Sequence, residues 1–429
     1  MRNAVKWSSI ALAVAMGNGL IASQASAQAE TENQGIVEGA TATLSSRTVY
    51  FNRDFRDGFD DDGRGYREEA ATGLLMDFQS GFSQGPIGLG FDVVAMGGLK
   101  LDSSPARNGT GLLPVDADGT TPNEYSEIRG AVKANVLGDT VLRYGVHFPE
   151  NPVIAYDDAR LLPNHYHGYS VANESIEGLL LEAGRMTDRG EMNESFETDG
   201  AFGVENGDVT YLGGSYTFND AFAASLYTSE AEDEWKRHFL GLSHAAQLSE
   251  AVSLATEFAF YDTSDETPAA GVTNDNQAGS IAFTLGVANH GFTLAYQQMA
   301  GDAGFNYYDG AIFLANSIQY GDFNAKDEKS YQARYDYDFA GLGIPGLSFM
   351  TRYVRGYDID TDFEAAPNTF IARDTRWERN SHLNYEFQSG ALEGLNVLWR
   401  NATVRQDANI GGGDVDENRL IVSYTWDLL

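Results

Sequence analysis

The chain has 429 residues, a formal net charge of −34, no cysteine, 12% aromatic residues and 47 glycines. An acidic balance of this size excludes a broad phosphate-binding surface, and with it nucleic acid as a partner. The lack of cysteine removes disulfides as a source of stability, which a structure closed by its own backbone ladder does not need.

The chain opens with Arg2 and Lys6, then an apolar run over residues 10–22 broken by Gly17, Asn18 and Gly19, then Ala25-Ser26-Ala27. A positive start, a short apolar stretch and an A-x-A site in that order predict a secretory signal peptide over residues 1–27. The predicted domain occupies residues 28–429. Loss of Arg2 and Lys6 takes the formal charge from −34 to −36. Beyond residue 27 no apolar run reaches the ~18–20 residues that a spanning helix needs.

Alternation with period two dominates the remainder. In chain order, Phe222, Ala224 and Leu226 oppose Ala223, Ser225 and Tyr227. Val252, Leu254, Phe258 and Phe260 oppose Ser253, Glu257 and Tyr261. Tyr331, Ala333, Tyr335, Tyr337 and Phe339 share one face, with Gln332, Arg334, Asp336 and Asp338 on the other. At the end, Leu420, Val422, Tyr424, Trp426 and Leu428 oppose Arg419, Ser423, Thr425 and Asp427. These segments have the ~9–11-residue length of tilted membrane strands, and aromatics cluster near their ends on the apolar face. Their polar faces carry too much charge to meet in the core of a soluble sandwich. The pattern predicts an all-β, transmembrane antiparallel barrel whose last strand pairs with its first, so that no sheet edge is left open. At roughly 20–25 residues per strand with its connection, the domain holds about 16 to 20 strands. A barrel of that size has an open lumen.

Acidic runs lie between these segments, at residues 57–62, 230–234, 262–266 and 358–364. None has the spacing of a calcium loop, and they are read as solvated loops. The G-x-G-x-x-G match at residues 341–346 is followed by strand-like sequence instead of a helix, so it is read as a turn. There is no H-E-x-x-H. His165 and His167 lie two apart with no further ligand nearby in sequence, and no metal or other cofactor is implied. Arg334, Arg352, Arg400 and Arg419 all fall on lumen faces. An arginine facing lipid costs about 2–4 kcal/mol at the midplane, so these side chains face water. Each could merely pair with a lumen carboxylate such as Asp336. As a set on neighbouring strands they predict a positive track for a solute, since charged side chains lining a narrow zone set pore selectivity.

Several stretches resemble the OprD-type family of outer-membrane carboxylate channels. They are SRTVYFNRDFR at 46–56, GGLKLDS at 97–103, and NPV at 151–153 leading to RLLP at 160–163. FLANS at 313–317, QYGDFN at 319–324, DFAGLGIPGL at 338–347 and DENRLIV at 416–422 follow in order. The resemblance implies an 18-stranded barrel in the outer membrane, with two loops folded inward as constriction loops around an eyelet. Those loops are expected at residues 149–173, with Tyr156 and Asp157, and at 301–315, with Asp302, Tyr307 and Asp309. It implies a ladder of basic residues guiding a substrate carboxylate, matched here by Arg160, Arg352, Arg400 and Arg419. Leu398, Asn384 and Asn135 stand where the family often has basic residues, and Gly310-Ala311 replaces a common Asp-Ser pair. Those departures imply a sparser ladder and a wider eyelet. The expected function is passive, selective diffusion of small carboxylate solutes. A weakly selective diffusion porin is the second reading and a barrel-form hydrolase the third. The expected surroundings are outer-membrane lipid and lipopolysaccharide, with the barrel a monomer or a homotrimer.

Overall fold

The computed structural model describes residues 35–429 except 57, 59, 61–62, 202–206, 266–272, 362–372 and 411–412. The expected signal peptide and parts of three acidic runs lie outside the described residues. Among the described residues, eighteen long strands form one antiparallel sheet. They are β1 (Thr41–Phe55), β2 (Tyr66–Gln79), β3 (Ile87–Asp102), β4 (Glu124–Val136), β5 (Thr140–His147) and β6 (His165–Ile176). Next come β7 (Leu179–Gly190), β8 (Val209–Asn219), β9 (Phe222–Ala231), β10 (Trp235–Ser249), β11 (Val252–Asp265) and β12 (Asn276–Val287). The last six are β13 (His290–Gly301), β14 (Lys329–Asp338), β15 (Leu347–Asp360), β16 (Arg373–Glu386), β17 (Asn396–Gln406) and β18 (Val415–Asp427). A three-residue strand, Glu197–Asp199, pairs with the end of β7.

Each strand pairs with the next in sequence, and β18 pairs with β1 from Thr43↔Asp427 to Phe55↔Val415. The sheet is therefore closed, and its backbone donors and acceptors are satisfied within the ring. The predicted alternation is realised. Ser253, Ala255, Ala259 and Tyr261 of β11 are buried, while Phe283, Phe292 and Leu294 on the neighbouring strands are exposed to the outside. The G-x-G-x-x-G stretch is indeed a turn: a 3₁₀ turn at Phe339–Leu342 ends on Gly343 in the left-handed conformation. Phe339 belongs to that turn and not to the strand.

Short connections join the strands at one end, such as residues 137–139, 177–178 and 288–289, and long ones at the other. In outer-membrane barrels the short turns face the periplasm. Both described chain ends sit on that side.

Three long connections turn into the barrel. The loop after β3 (residues 103–123) buries Leu112 and Leu113 against Val49, Phe51 and Ala71, together with Leu161 and Leu162. The loop after β5 (residues 148–164) carries a small hairpin, Glu150–Asn151 with Ile154–Ala155. The loop after β13 (residues 302–328) buries Phe305 and Leu314 against Phe239, Tyr261 and Met299. The last two are the expected constriction loops with different bounds. The first stops at Asn164, because residues 165–176 pair into the wall as β6. The second runs on to Glu328, because Asn316, Asp322 and Phe323 are tied to the wall by Gln297 and to Tyr307.

Candidate solute path and constriction

Lumen-facing positions on β14 to β18 and β1 carry Arg334, Arg352, Arg376, Arg400, Arg419, Arg47 and Arg53. The register places Arg419 of β18 directly opposite Arg400 of β17, and Arg400 opposite His382 of β16. It places Arg352 of β15 opposite Arg334 of β14 and Asn380 of β16. Strands tilt by about 35–45° in such barrels, so a row perpendicular to the strands climbs as it passes round the wall. The guanidinium groups therefore form steps along the channel and not a ring.

The four arginines are not equivalent. Arg334 is tied to Asp336 by three bonds of 2.8 to 3.1 Å. Arg419 is buried; its Nε donates to Glu417 at 2.7 Å and its Nη1 donates to the Ala159 carbonyl at 3.0 Å. Both are therefore paired with a lumen carboxylate of their own strand. Arg352 has an uncharged partner, Asn380 Oδ1 at 2.6 Å. Arg400 has no acidic partner among the described residues, and its buried Nε has no hydrogen-bond acceptor.

Arg160 comes from the 148–164 loop and joins the same cluster. Its Nε donates to the Thr110 carbonyl at 3.1 Å, and its guanidinium lies 5.6 Å from the Phe51 ring centre. Arg53 and Arg419 lie over the same ring at 5.3 and 4.3 Å. Burial, together with Arg419 and Arg53 nearby, pushes the Arg160 guanidinium down to about 10. Glu417 offsets this crowding: it accepts from Arg53 at 2.7 and 2.9 Å, and from Gln319 of the long inward loop at 3.0 Å. Gln319 Oε1 also accepts from His382 Nε2 at 2.9 Å. Arg53, His382, Gln319 and Glu417 were not singled out in sequence. Arg53 and His382 do sit at lumen parity, but the partnership with a loop residue such as Gln319 leaves no local trace.

The opposite side of the constriction is built from tyrosines and acids. Asp309 accepts from Asn164 at 2.7 Å and from Arg189 Nε at 2.7 Å, and also from Tyr166. Tyr307 donates to Asp322 at 2.5 Å, and Ser317 to the same carboxylate at 2.7 Å. Burial first, then Asp322, holds the Tyr307 hydroxyl above its ordinary value. Asp157 is half-buried; its Oδ1 accepts from the Ala159 amide at 2.8 Å, and burial holds its carboxyl above the usual range. Tyr156 packs edge-on to Phe148, with ring centres 5.5 Å apart. Asp302 differs from its companions. It is exposed at the root of its loop, its amide bonded to the Asp275 carbonyl at 3.0 Å, away from the narrow zone.

The two inward loops touch through backbone. Gly310 N–H donates to the Ala155 carbonyl at 3.1 Å. A Cβ at Gly310 would lie 2.2 Å from the Tyr156 carbonyl oxygen. The glycine that departs from the family's common residue is thus what lets one loop lie on the other. Towards the periplasm, Arg47 binds Asp158 through two 2.6 Å bonds. There a cavity of about 580 Å³ opens, lined among others by Arg47, Asp77, Arg143 and Tyr156.

His165 and His167 diverge to different carboxylates, Glu197 at 3.2 Å and Asp188 at 3.6 Å. A serine–histidine pair does exist: His147 Nε2 lies 2.9 Å from Ser170 Oγ. Its Nδ1, however, faces the Gly145 carbonyl at 2.8 Å, where a hydrolase places a carboxylate to orient the ring.

The family described as outer membrane porin, OprD family, matches residues 34–428. Porin D of Pseudomonas aeruginosa is 37% identical over 451 residues, covering 99% of each chain. The porin-like protein GalP of Pseudomonas putida is 31% identical, covering 92% of this chain and 94% of its own. Among solved structures, OccK9 (OpdG) of Pseudomonas aeruginosa superimposes with a TM-score of 0.84 at 36% identity, over 92% of this chain and all of that one. OpdK with vanillate, from the same species, gives 0.83 at 32% identity over the same shares. A closed barrel of this strand number, matched from end to end by these channels, belongs to the OprD family of outer-membrane porins, and so does this chain.

Proposed function

We propose that this porin passes small carboxylate-bearing solutes, drawn through the constriction by a stepped track of arginines. The observation that carries the reading is two pairs of directly opposed arginines, Arg419 with Arg400 on β18 and β17, and Arg352 with Arg334 on β15 and β14. Like charges directly opposite destabilise a sheet. Arg400 and Arg352 lack the carboxylate that neutralises the other two. Charge kept at a structural cost and facing water is available to a passing anion.

The steps act in sequence. A carboxylate approaching from outside meets Arg352 and Arg400, whose guanidinium donors match its two oxygens. It then faces Arg160 and Arg419, already partly engaged with Glu417 and the Ala159 carbonyl, so that binding there is weaker and release is possible. Past this point the wall at Leu398 and Ile421 is apolar, which ends the track and lets the solute leave towards the periplasm. Movement needs no energy source. Vanillate, named with the relative OpdK, carries a carboxylate, which supports this solute class.

The test replaces Arg352→Gln and Arg400→Gln together and reads reversal potentials in planar bilayers under a salt gradient. A unit charge ~6 Å from a permeating ion in a water-like medium contributes about 0.7 kcal/mol, or roughly threefold per arginine. Anion and cation feel the loss with opposite sign, so the anion-to-cation permeability ratio should fall by at least about tenfold for the pair. An unchanged reversal potential defeats the assignment.

A further inference from the structure

The outward face of β15 and β16 carries two cations that the channel does not use. Arg355 and Arg379 lie on opposite parity to Arg352 and Glu378, and both are exposed. In the register Arg355 sits between Tyr331 and Trp377, and Arg379 between Tyr353 and Thr403. The two are diagonal neighbours across one strand pair, about 7–8 Å apart at the backbone.

Their neighbours are neutralised and they are not. Lys329 binds Asp358 at 2.8 Å, and Arg405 binds Asp416 at 2.9 Å. Among the described residues, Arg379 has a 3.3 Å bond to Thr403 Oγ1 and no acid, and Arg355 has neither a hydrogen bond nor an ion pair. In a chain carrying 62 acidic residues against 28 basic ones, two adjacent uncompensated guanidinium groups stand out.

Height decides what they face. Arg355 is eight positions above the inner end of β15 at Leu347, and Arg379 seven above that of β16 at Glu386. With ~3.3 Å per residue and a ~40° tilt, both lie about 18–20 Å above the inner edge of an apolar band ~25 Å tall. That is the level of the outer aromatics, Tyr353 and Trp377, whose rings lie 5.7 Å apart. Arginine at that depth extends its head to the headgroup layer while its stem stays in apolar surroundings.

We propose that Arg355 and Arg379 form a clamp on the outside of the barrel for the phosphate of an anionic outer-leaflet lipid. Two guanidinium groups at this spacing can each give parallel N–H donors to one phosphate. The flanking tyrosine and tryptophan supply surface for the sugar and the first methylenes. The occupant is fixed by charge and depth: a phosphorylated headgroup is the anion present where these side chains end.

The test uses the full-length porin in neutral detergent and native mass spectrometry, with bis-phosphorylated lipid A as the probe. Arg355→Gln with Arg379→Gln should weaken lipid A binding by about tenfold or more. Arg355→Lys with Arg379→Lys, which keeps the charge but not the paired donors, should retain part of it. Dephosphorylated lipid A should bind the unsubstituted porin as weakly as lipid A binds the Gln pair, a comparison that stands even if that variant fails to fold. Conductance should not change. Equal affinity for lipid A before and after the Gln substitutions overturns the clamp, as does binding indifferent to phosphate. A loss of oligomers with lipid binding intact would assign the two arginines to a protein contact and overturn it equally.

Discussion

Replacing Asp309 by asparagine removes one charge from the point where the two inward loops and the wall meet. Asp309 lies in the left-handed region at φ 51°, a conformation asparagine also tolerates, so the substitution leaves the backbone unstrained. The carboxylate holds Arg189, Asn164 and Tyr166 together, with side-chain exposures of 4% for Asp309 and 11% for Arg189. Breaking a buried charged pair costs about 3–5 kcal/mol when one ion is left without a partner. Arg189 retains Glu191, and an asparagine can still accept one bond. The loss should therefore be smaller, about 2–3 kcal/mol, equivalent to roughly 30- to 150-fold in the ratio of docked to undocked loop. The barrel's own ladder is untouched, so the protein should fold. Single-channel recording is the assay. Brief openings to a larger conductance should become more frequent by one to two orders of magnitude, with the main level retained. Recordings of Asp309→Asn indistinguishable from those of the unsubstituted porin would show that this carboxylate does not hold the constriction.

Two further outcomes follow from the same geometry. Gly310→Ala brings a Cβ to within 2.2 Å of the Tyr156 carbonyl, so the loops must part; the main conductance level should rise, and a level equal to that of the parent would refute the close approach. Burial and Asp309 hold the Asp157 carboxyl above its usual range, against the Ala159 amide and Arg160. A raised value means that Asp157 gains its proton at a higher pH than an ordinary carboxylate, so the constriction loses negative charge early as pH falls. Anion preference should rise as pH drops from about 7 to 4, and in Asp157→Asn it should start high and lose this step. The same pH profile in both proteins would remove Asp157 from the path.

Much of this was readable before any coordinate. A period of two is local, so alternation alone decided that Tyr331 and Leu420 face outwards and that Arg334 and Arg419 face the lumen. Segment length and spacing bounded the strand number, and the ordered stretches pointed to the family. Parity also marked Arg53 and His382, although neither stood out, because one basic residue on a polar face carries no sign of its partners.

What tertiary structure alone decided is which charges are free. In sequence, Arg334 and Arg419 differ from Arg352 and Arg400 only by a carboxylate two positions away on the same face, Asp336 and Glu417. How that carboxylate is shared was hidden, because Arg53 and Gln319 also bind Glu417 and the Ala159 carbonyl reaches Arg419 from a loop 260 residues distant. The bounds of the inward loops were equally hidden. Residues 165–173 are polar and aromatic enough to pass for loop, yet they pair into the wall as β6, while residues 316–328 hold strand-like aromatics and lie inside the lumen. Membership of a strand in a closed ring depends on partners far away in the chain. Docking of a loop depends on a handful of buried contacts such as those at Asp309 and Gly310. Neither leaves a periodicity to read, so the barrel was legible in the sequence and the constriction was not.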